Sequence, residues 1–407
     1  MTKLRRIATL VFLATTMAAA QLYQHQLLHE FSGKAGSGEY PFHEPLAMDG
    51  AGNIFGSTSL RHDKFRDGLV FELSQANGKW TYHVLHVFTG PDGSVPIGKL
   101  YIDAQGNLYG VAGAGGASNC GVVYELSPTG SGWKYTLLHS LSPADGCFPL
   151  GGVILGKDGN FYGGANSGGA NNAGTVFEMT PAGTLTVLYS FTAAQKYGPL
   201  AALVFDAQGN LYGGQGASTQ ENCIPGPSSV FKLSPNGDGT WTESTFYTFN
   251  SNTDGCNPQA ELILDAQGNL YGTNANGGVY GKGTAFELSP SGTFNLLYSF
   301  GSVIGDKYDA AYPSGGLVFD PQGNLYGPSS GGSRFGDGTV FRLSPTGGNG
   351  PWKENFVFRF NGLNGSAPSG TLVLDDTGAL YGTTFDGGSG GGQCGSGGCG
   401  VVYRLFP

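Results

Sequence analysis

Residues 262–272 read LILDAQGNLYG, and nearly the same string returns at 100–110 (LYIDAQGNLYG), 203–213 (LVFDAQGNLYG) and 317–327 (LVFDPQGNLYG). Three looser copies, LAMDGAGNIFG (46–56), VILGKDGNFYG (153–163) and LVLDDTGALYG (372–382), complete a set of seven. Their turn glycines are Gly52, Gly106, Gly159, Gly209, Gly268, Gly323 and Gly378, at spacings of 54, 53, 50, 59, 55 and 55 residues. A fixed period of this size is the mark of a repeat architecture.

Each copy holds four strand-like pieces. An apolar run such as Leu203-Val204-Phe205 ends at the Asp, and the turn is followed by Asn-Leu-Tyr-Gly. After a glycine-rich stretch comes a third piece, as in GTVFEMTP (174–181), GTAFELSP (283–290) and GTVFRLSP (338–345). The fourth ends in an aromatic, as in Trp80 to Phe88 or Phe294 to Phe300. Four short strands per repeat, seven times over, predict an all-β, seven-bladed β-propeller with four-stranded blades. A β-solenoid would show shorter rungs and distinct capping repeats, and the ends of this chain show neither.

The ends also fit together. The last repeat stops after its third strand, Val401 to Leu405, while residues 22–31 read as a spare fourth strand. Its alternation of Tyr23, His25, Leu27, His29 and Phe31 on one face matches Trp80, Tyr82, Val84, His86, Phe88 and also Trp133, Tyr135, Leu137, His139, Leu141. Completing the last blade with the N-terminal strand closes the ring and removes its free edges. Repeats of about 54 residues then run from about residue 40 to 405, within one domain spanning 21–407.

Composition agrees. Glycine accounts for 73 of 407 residues, more than twice its usual ~7% share, and charged residues for only 12%, about half the usual share. Aromatics at 12% supply a core that a disordered chain lacks. Glycine costs ~1 kcal/mol at each interior helical position, so helix is disfavoured.

Residues 1–20 read as a signal peptide. Lys3, Arg5 and Arg6 precede a short apolar run, and Ala18-Ala19-Ala20 offers a cleavage site ahead of Gln21. The protein is therefore expected in the periplasm or outside the cell, as a monomer without a transmembrane segment. Loss of the three leader cations would leave 17 basic against 29 acidic residues, a net charge of −12. Such a surface repels phosphate backbones, so no nucleic-acid partner is expected.

Six cysteines in an exported chain point to disulfides. The repeat register pairs Cys120 with Cys147 and Cys223 with Cys256, each across two loops on one side of a blade, and Cys394 with Cys399 within one loop.

The string LxxDxxGNLYGTTxxGGxxGxGTVFxLSPxG…LLYSF resembles the GloVer (Gloeo_Verruco) tandem repeat of secreted bacterial proteins, sometimes called choice-of-anchor proteins. The resemblance covers residues 40–405 and implies export and a propeller-like array. It implies no activity and supplies no catalytic residues. Some relatives append a C-terminal sorting segment, whereas this chain ends at Pro407 directly after a strand.

Asp49, Asp103, Asp206, Asp265, Asp320 and Asp375 share one turn position, replaced by Gly156 in the third repeat. One carboxylate per turn is too few for calcium, which takes six to eight oxygens, so the Asp is read as capping its own turn, with no metal or cofactor. All seven histidines precede residue 140. His29, His86 and His139 align with Tyr189, Tyr247, Tyr298 and Phe358 and read as packing residues, and His25 and His83 lie in the same outer strands. His43 and His62 fall in loops.

Register places small residue pairs at the start of each inner strand, beside the channel. The polar exceptions are Glu44, Lys99, Glu261 and Thr371. With His43 and His62 they form the candidate binding constellation at the channel mouth. Exposed loop residues, among them Lys64, Arg66, Asp67, Tyr280, Lys282, Arg334 and Phe335, offer a second kind of surface. The reading is a binding or interaction module for a glycan or an envelope protein. The alternative is a lyase, lactonase or other glycan-active enzyme of propeller type, using the channel mouth. No nucleophile motif such as Gly-x-Ser-x-Gly supports the alternative.

Overall fold

Every repeat folds as a blade whose Asp turn joins the two innermost strands. In the fifth blade these are Ile263–Leu264 and Leu270–Asn274, followed outward by Thr284–Leu288 and Phe294–Ser299, all antiparallel neighbours. The computed structural model describes residues 23–33, 37–41, 45–59, 67–195, 197–216, 228–304, 307–347, 352–389, 394 and 397–407. Among them there is no α-helix. The strands form six four-stranded sheets, a seventh with one extra short strand, and a hairpin of Val303–Ile304 with Lys307–Tyr308. This is the seven-bladed propeller.

The ring closes through the N-terminal strand. Gln24–Glu30 pairs antiparallel with Val401–Phe406, which continues through Leu380–Asp386 to Ser366–Leu374. The leader at 1–20 lies outside the described residues.

The core follows from strand alternation. Successive side chains point to opposite faces, so Leu270 faces the fourth blade and Tyr271 the sixth. Apolar burial is thereby divided into seven layers, one between each pair of neighbouring blades. The layer between last and first blade joins Phe31, Tyr381 and Val402 to Leu46, Ile54 and Phe71.

A second inter-blade contact was not read from the sequence. Each blade opens with a proline within or just before its inner strand, and the residue before that proline has positive φ in six blades: Tyr40, Val95, Phe148, Asn257, Tyr312 and Ala367. In five of the seven blade pairs the proline ring presses on the glycine that opens the third strand of the preceding blade: Gly68, Gly121, Gly283, Gly338 and Gly400. A Cβ on Gly338 would lie 2.5 Å from Pro368 Cδ, and one on Gly121 would lie 2.7 Å from Pro149 Cδ. The same glycine carbonyl accepts the amide of its own blade's terminal aromatic, as in Phe360 N to Gly338 O at 3.1 Å.

One expectation is corrected. The outer strands do not alternate strictly, because the ladder shifts between Leu27 and His29, and at the matching place in the other blades. This is a repeated β-bulge, with one extra residue on the outer strand. Leu27, Val84 and Leu137, just before it, are exposed at 44%, 37% and 43%, whereas Phe31, Phe88 and Leu141 beyond it are buried.

Candidate functional site

The inner strands bring the register positions together as expected. Pro45, Lys99, Gly151, Ala201, Glu261 and Thr371 line one cavity of about 250 Å³ on the axis. Lys99 Nζ lies 3.2 Å from both carboxylate oxygens of Glu261, joining the second blade to the fifth across the channel. The Lys99 side chain is 46% exposed and that of Glu261 only 10%. Thr371 Oγ1 accepts the Gly316 amide at 2.9 Å. Glu44, His43 and His62 lie outside the described residues. Among the described residues the nominated constellation comprises one ion pair and one engaged hydroxyl.

A wider funnel of about 1250 Å³ opens on the Asp-turn side, with Met48, Ile102, Leu155 and Leu264 in its wall. Lys99 and Glu261 line both cavities, so the ion pair sits where they meet.

The repeated Asp is a turn cap. Asp265 Oδ1 accepts the amides of Gln267 and Asn269 at 2.9 and 2.8 Å, and Oδ2 accepts Asn269 Nδ2 at 2.8 Å and the Tyr271 hydroxyl at 3.1 Å. Burial would raise its pKa, but these bonds outweigh it and hold the carboxyl below its ordinary value. The Asn and Tyr of Asn-Leu-Tyr-Gly are therefore partners of the Asp. In the third blade Asp158 takes over, accepting Asn160 Nδ2 at 3.0 Å and the Tyr162 hydroxyl at 2.7 Å. Its carboxylate fills the space vacated at Gly156, where a Cβ would lie 2.5 Å from Asp158 Oδ1. With these oxygens engaged, chelation by EDTA is expected to leave the melting temperature unchanged. A fall of several degrees that calcium reverses would show that the turns ligate metal.

The histidines form an inter-blade ladder around the rim. His29 stacks on Tyr82 of the next blade at 3.9 Å, His86 on Tyr135 at 4.2 Å, and Phe358 on His25 at 4.8 Å. The same rung is Tyr247 on Phe294 between blades four and five, and the Tyr189 hydroxyl with Glu243 between three and four. His139 replaces stacking with contacts to Gly183 O and Asp145. Burial lowers the pKa of His29 to about 4, against the opposing pull of Glu30. These are packing groups.

Between blades five and six the rung is acidic. Burial raises the pKa of Glu354 to about 8, and nearby Asp309 adds to the rise while Arg359 opposes it. A carboxyl with a raised folded-state pKa binds its proton more tightly when folded, so stability declines as pH rises from about 4.5 to about 8. Glu354→Gln is expected to flatten that decline and to melt higher than the parent near the upper limit. Parallel thermal melts across the range check this, and identical slopes would contradict it.

Two disulfides match the register assignment, Cys120–Cys147 and Cys394–Cys399, with Cα separations of 4.2 and 5.3 Å. Cys256 is disulfide-bonded, and its expected partner Cys223 lies outside the described residues, as do Lys64 and Arg66.

Sequence reasoning missed a cleft of about 550 Å³ on the loop face, over blades five to seven. Asn252, Gln259, Asn276, Tyr312, Ser330 and Phe385 are in its wall. It shares Gln259, Ala260 and Ser314 with the axial cavity, so the two are continuous. No Asp, Glu, His, Lys or Arg lines it among the described residues. Its one sequence signal is the residue before the blade-opening proline, here Tyr312.

Solved structures with the same fold include the extracellular domain of a candidate one-component system from B. thetaiotaomicron, at 11% identity and TM-score 0.53, covering 94% of this chain and 40% of that one. A gluconolactonase from Xanthomonas campestris matches at 14% identity and TM-score 0.42, covering 76% and 85%. A Dyadobacter fermentans protein of unknown function matches at 13% and 0.47, covering 94% and 98%. At such identities the likeness concerns the fold alone. A search of the curated proteins finds no match. The Gloeobacter/Verrucomicrobia repeat matches residues 14–224 and 216–396. The match spans nearly the whole seven-bladed ring, and the chain belongs to the Gloeobacter/Verrucomicrobia repeat family.

Proposed function

We propose that this propeller is an exported binding or interaction module, whose partner is a glycan or an envelope protein docking on the loop face. The observation that carries the reading is the state of the channel. The two charged groups lining the axial cavity among the described residues, Lys99 and Glu261, are paired with each other. Acid–base catalysis needs a group free to take or give a proton within reach of substrate, whereas this ammonium and carboxylate are already engaged with each other. The loop face offers an uncharged cleft instead, suited to recognition. Two disulfides and the leader-like first twenty residues support export.

The test has two arms. The tagged full chain is fractionated, and its N-terminus is determined by mass spectrometry; export with cleavage before Gln21 is expected. The mature protein is then screened for retention on isolated cell envelopes and on glycan arrays, and for turnover of sugar lactones and uronate polymers. Retention without turnover supports the module. Turnover abolished by Lys99→Ala or Glu261→Ala would establish the enzyme reading in its place.

A further inference from the structure

We propose that the cleft over blades five to seven is a binding site for a neutral oligosaccharide, which rests on the module reading above. Three side-chain carboxamides, Asn252, Gln259 and Asn276, line it, and among the described residues none makes a hydrogen bond through its side chain. Each carboxamide offers donors and an acceptor side by side. Adjacent sugar hydroxyls present the same pairing, since each both donates and accepts.

Tyr312 adds an aromatic wall that is held in place. Its φ is +58°, a strained backbone conformation for a non-glycine residue. The surroundings fix it there. Its amide donates to Lys282 O at 2.7 Å, its carbonyl accepts Ser330 Oγ at 3.2 Å, and the Lys282 ammonium bonds its hydroxyl while lying 4.6 Å from the ring centroid. Phe385 supplies a second ring to the same cleft. Such rings pack against the apolar C–H faces of a pyranose, which amides alone cannot do. An ordered ring also binds with less entropy to lose.

Charge selects the class of sugar. Desolvating a carboxylate or sulfate without a free cation is costly; no described residue lining the cleft is cationic, and the ammonium beside it, that of Lys282, is already engaged by the Tyr312 hydroxyl and ring. The chain's net charge of −9 adds long-range repulsion. Uronic-acid and sulfated glycans are therefore rejected, and hexose oligomers accepted.

The mature protein is titrated calorimetrically with short oligomers of glucose, galactose and mannose, and with oligogalacturonate. At least one neutral oligomer is expected to bind, and oligogalacturonate not at all. Asn276→Ala and Gln259→Ala should each weaken binding roughly 3- to 10-fold, as for the loss of a single hydrogen bond. The triple variant with Asn252→Ala should abolish it. These side chains bond nothing in the described fold, so unchanged melting curves are expected to accompany the loss. Sugar binding that survives the triple variant would overturn this site while leaving the module reading intact. Absence of binding by every neutral oligomer would overturn the proposal, and the module reading would then rest on a protein partner. Turnover of a bound sugar would overturn the module reading instead.

Discussion

Deleting Tyr23 to Phe31 is expected to lower the melting temperature by roughly 10 °C or more and to drive the protein into oligomers. The segment does three things at once. Gln24–Glu30 covers the edge of Val401–Phe406. Its His25 and His29 carry two rungs of the inter-blade ladder, against Phe358 and Tyr82. Phe31, 2% exposed, belongs to the layer between last and first blade, where full burial of one such side chain is worth ~1.5–3 kcal/mol. Its loss exposes a strand edge and an apolar layer together, and a second copy can satisfy both. Size-exclusion chromatography with light scattering and a thermal melt decide the matter. A monomer melting with the parent would mean that the ring does not depend on this strand.

Gly338→Ala is expected to cost about 2–6 kcal/mol, a large effect for one methyl group. The residue has φ +88°, where alanine is strained, and its Cβ would lie 2.4 Å from Ser329 O and 2.5 Å from Pro368 Cδ. Strain of ~1–3 kcal/mol and overpacking of ~1–3 kcal/mol combine there. Because Pro368 belongs to the next blade, part of the clash acts between blades, beside that with Ser329 O in the same blade. Gly209→Ala is the control. It has φ +88° with nothing within 4 Å of a Cβ, so only strain applies, about 1–2 kcal/mol. Denaturant melts of the two variants should differ clearly, and equal losses would dismiss the proline contact as a structural lock.

Local chemistry was legible in the sequence, and contacts across the ring were not. Asp-x-x-Gly-Asn announces a turn because its partners lie within a few residues, and seven copies fix the blade count. Counting back from Asp265 to Glu261, or from Asp103 to Lys99, put the channel residues in place because an inner strand permits no slippage. The same register supplied Cys120–Cys147 from two loops of one blade. That Lys99 would meet Glu261, 162 positions away, has no local signal. The shift from Gly156 to Asp158 was visible in VILGKDGNFYG but depends on a side chain reaching back into an empty space. The bulge after Leu27 was invisible because alternation of residue types survives an inserted residue. The proline at each blade opening stood in the sequence throughout, yet its role lies in the neighbouring blade. The cleft was missed because its residues come from loops whose spacing differs between repeats.

Hydrogen exchange of the mature protein, with and without a saturating neutral oligosaccharide, tests most directly whether recognition occurs on the loop face beside a channel closed by its own ion pair. Slowed exchange confined to residues 251–259, 275–281 and 312–314 is the predicted result. Protection centred on the Asp-turn funnel near Met48, Ile102 and Leu264, or none anywhere, would contradict it.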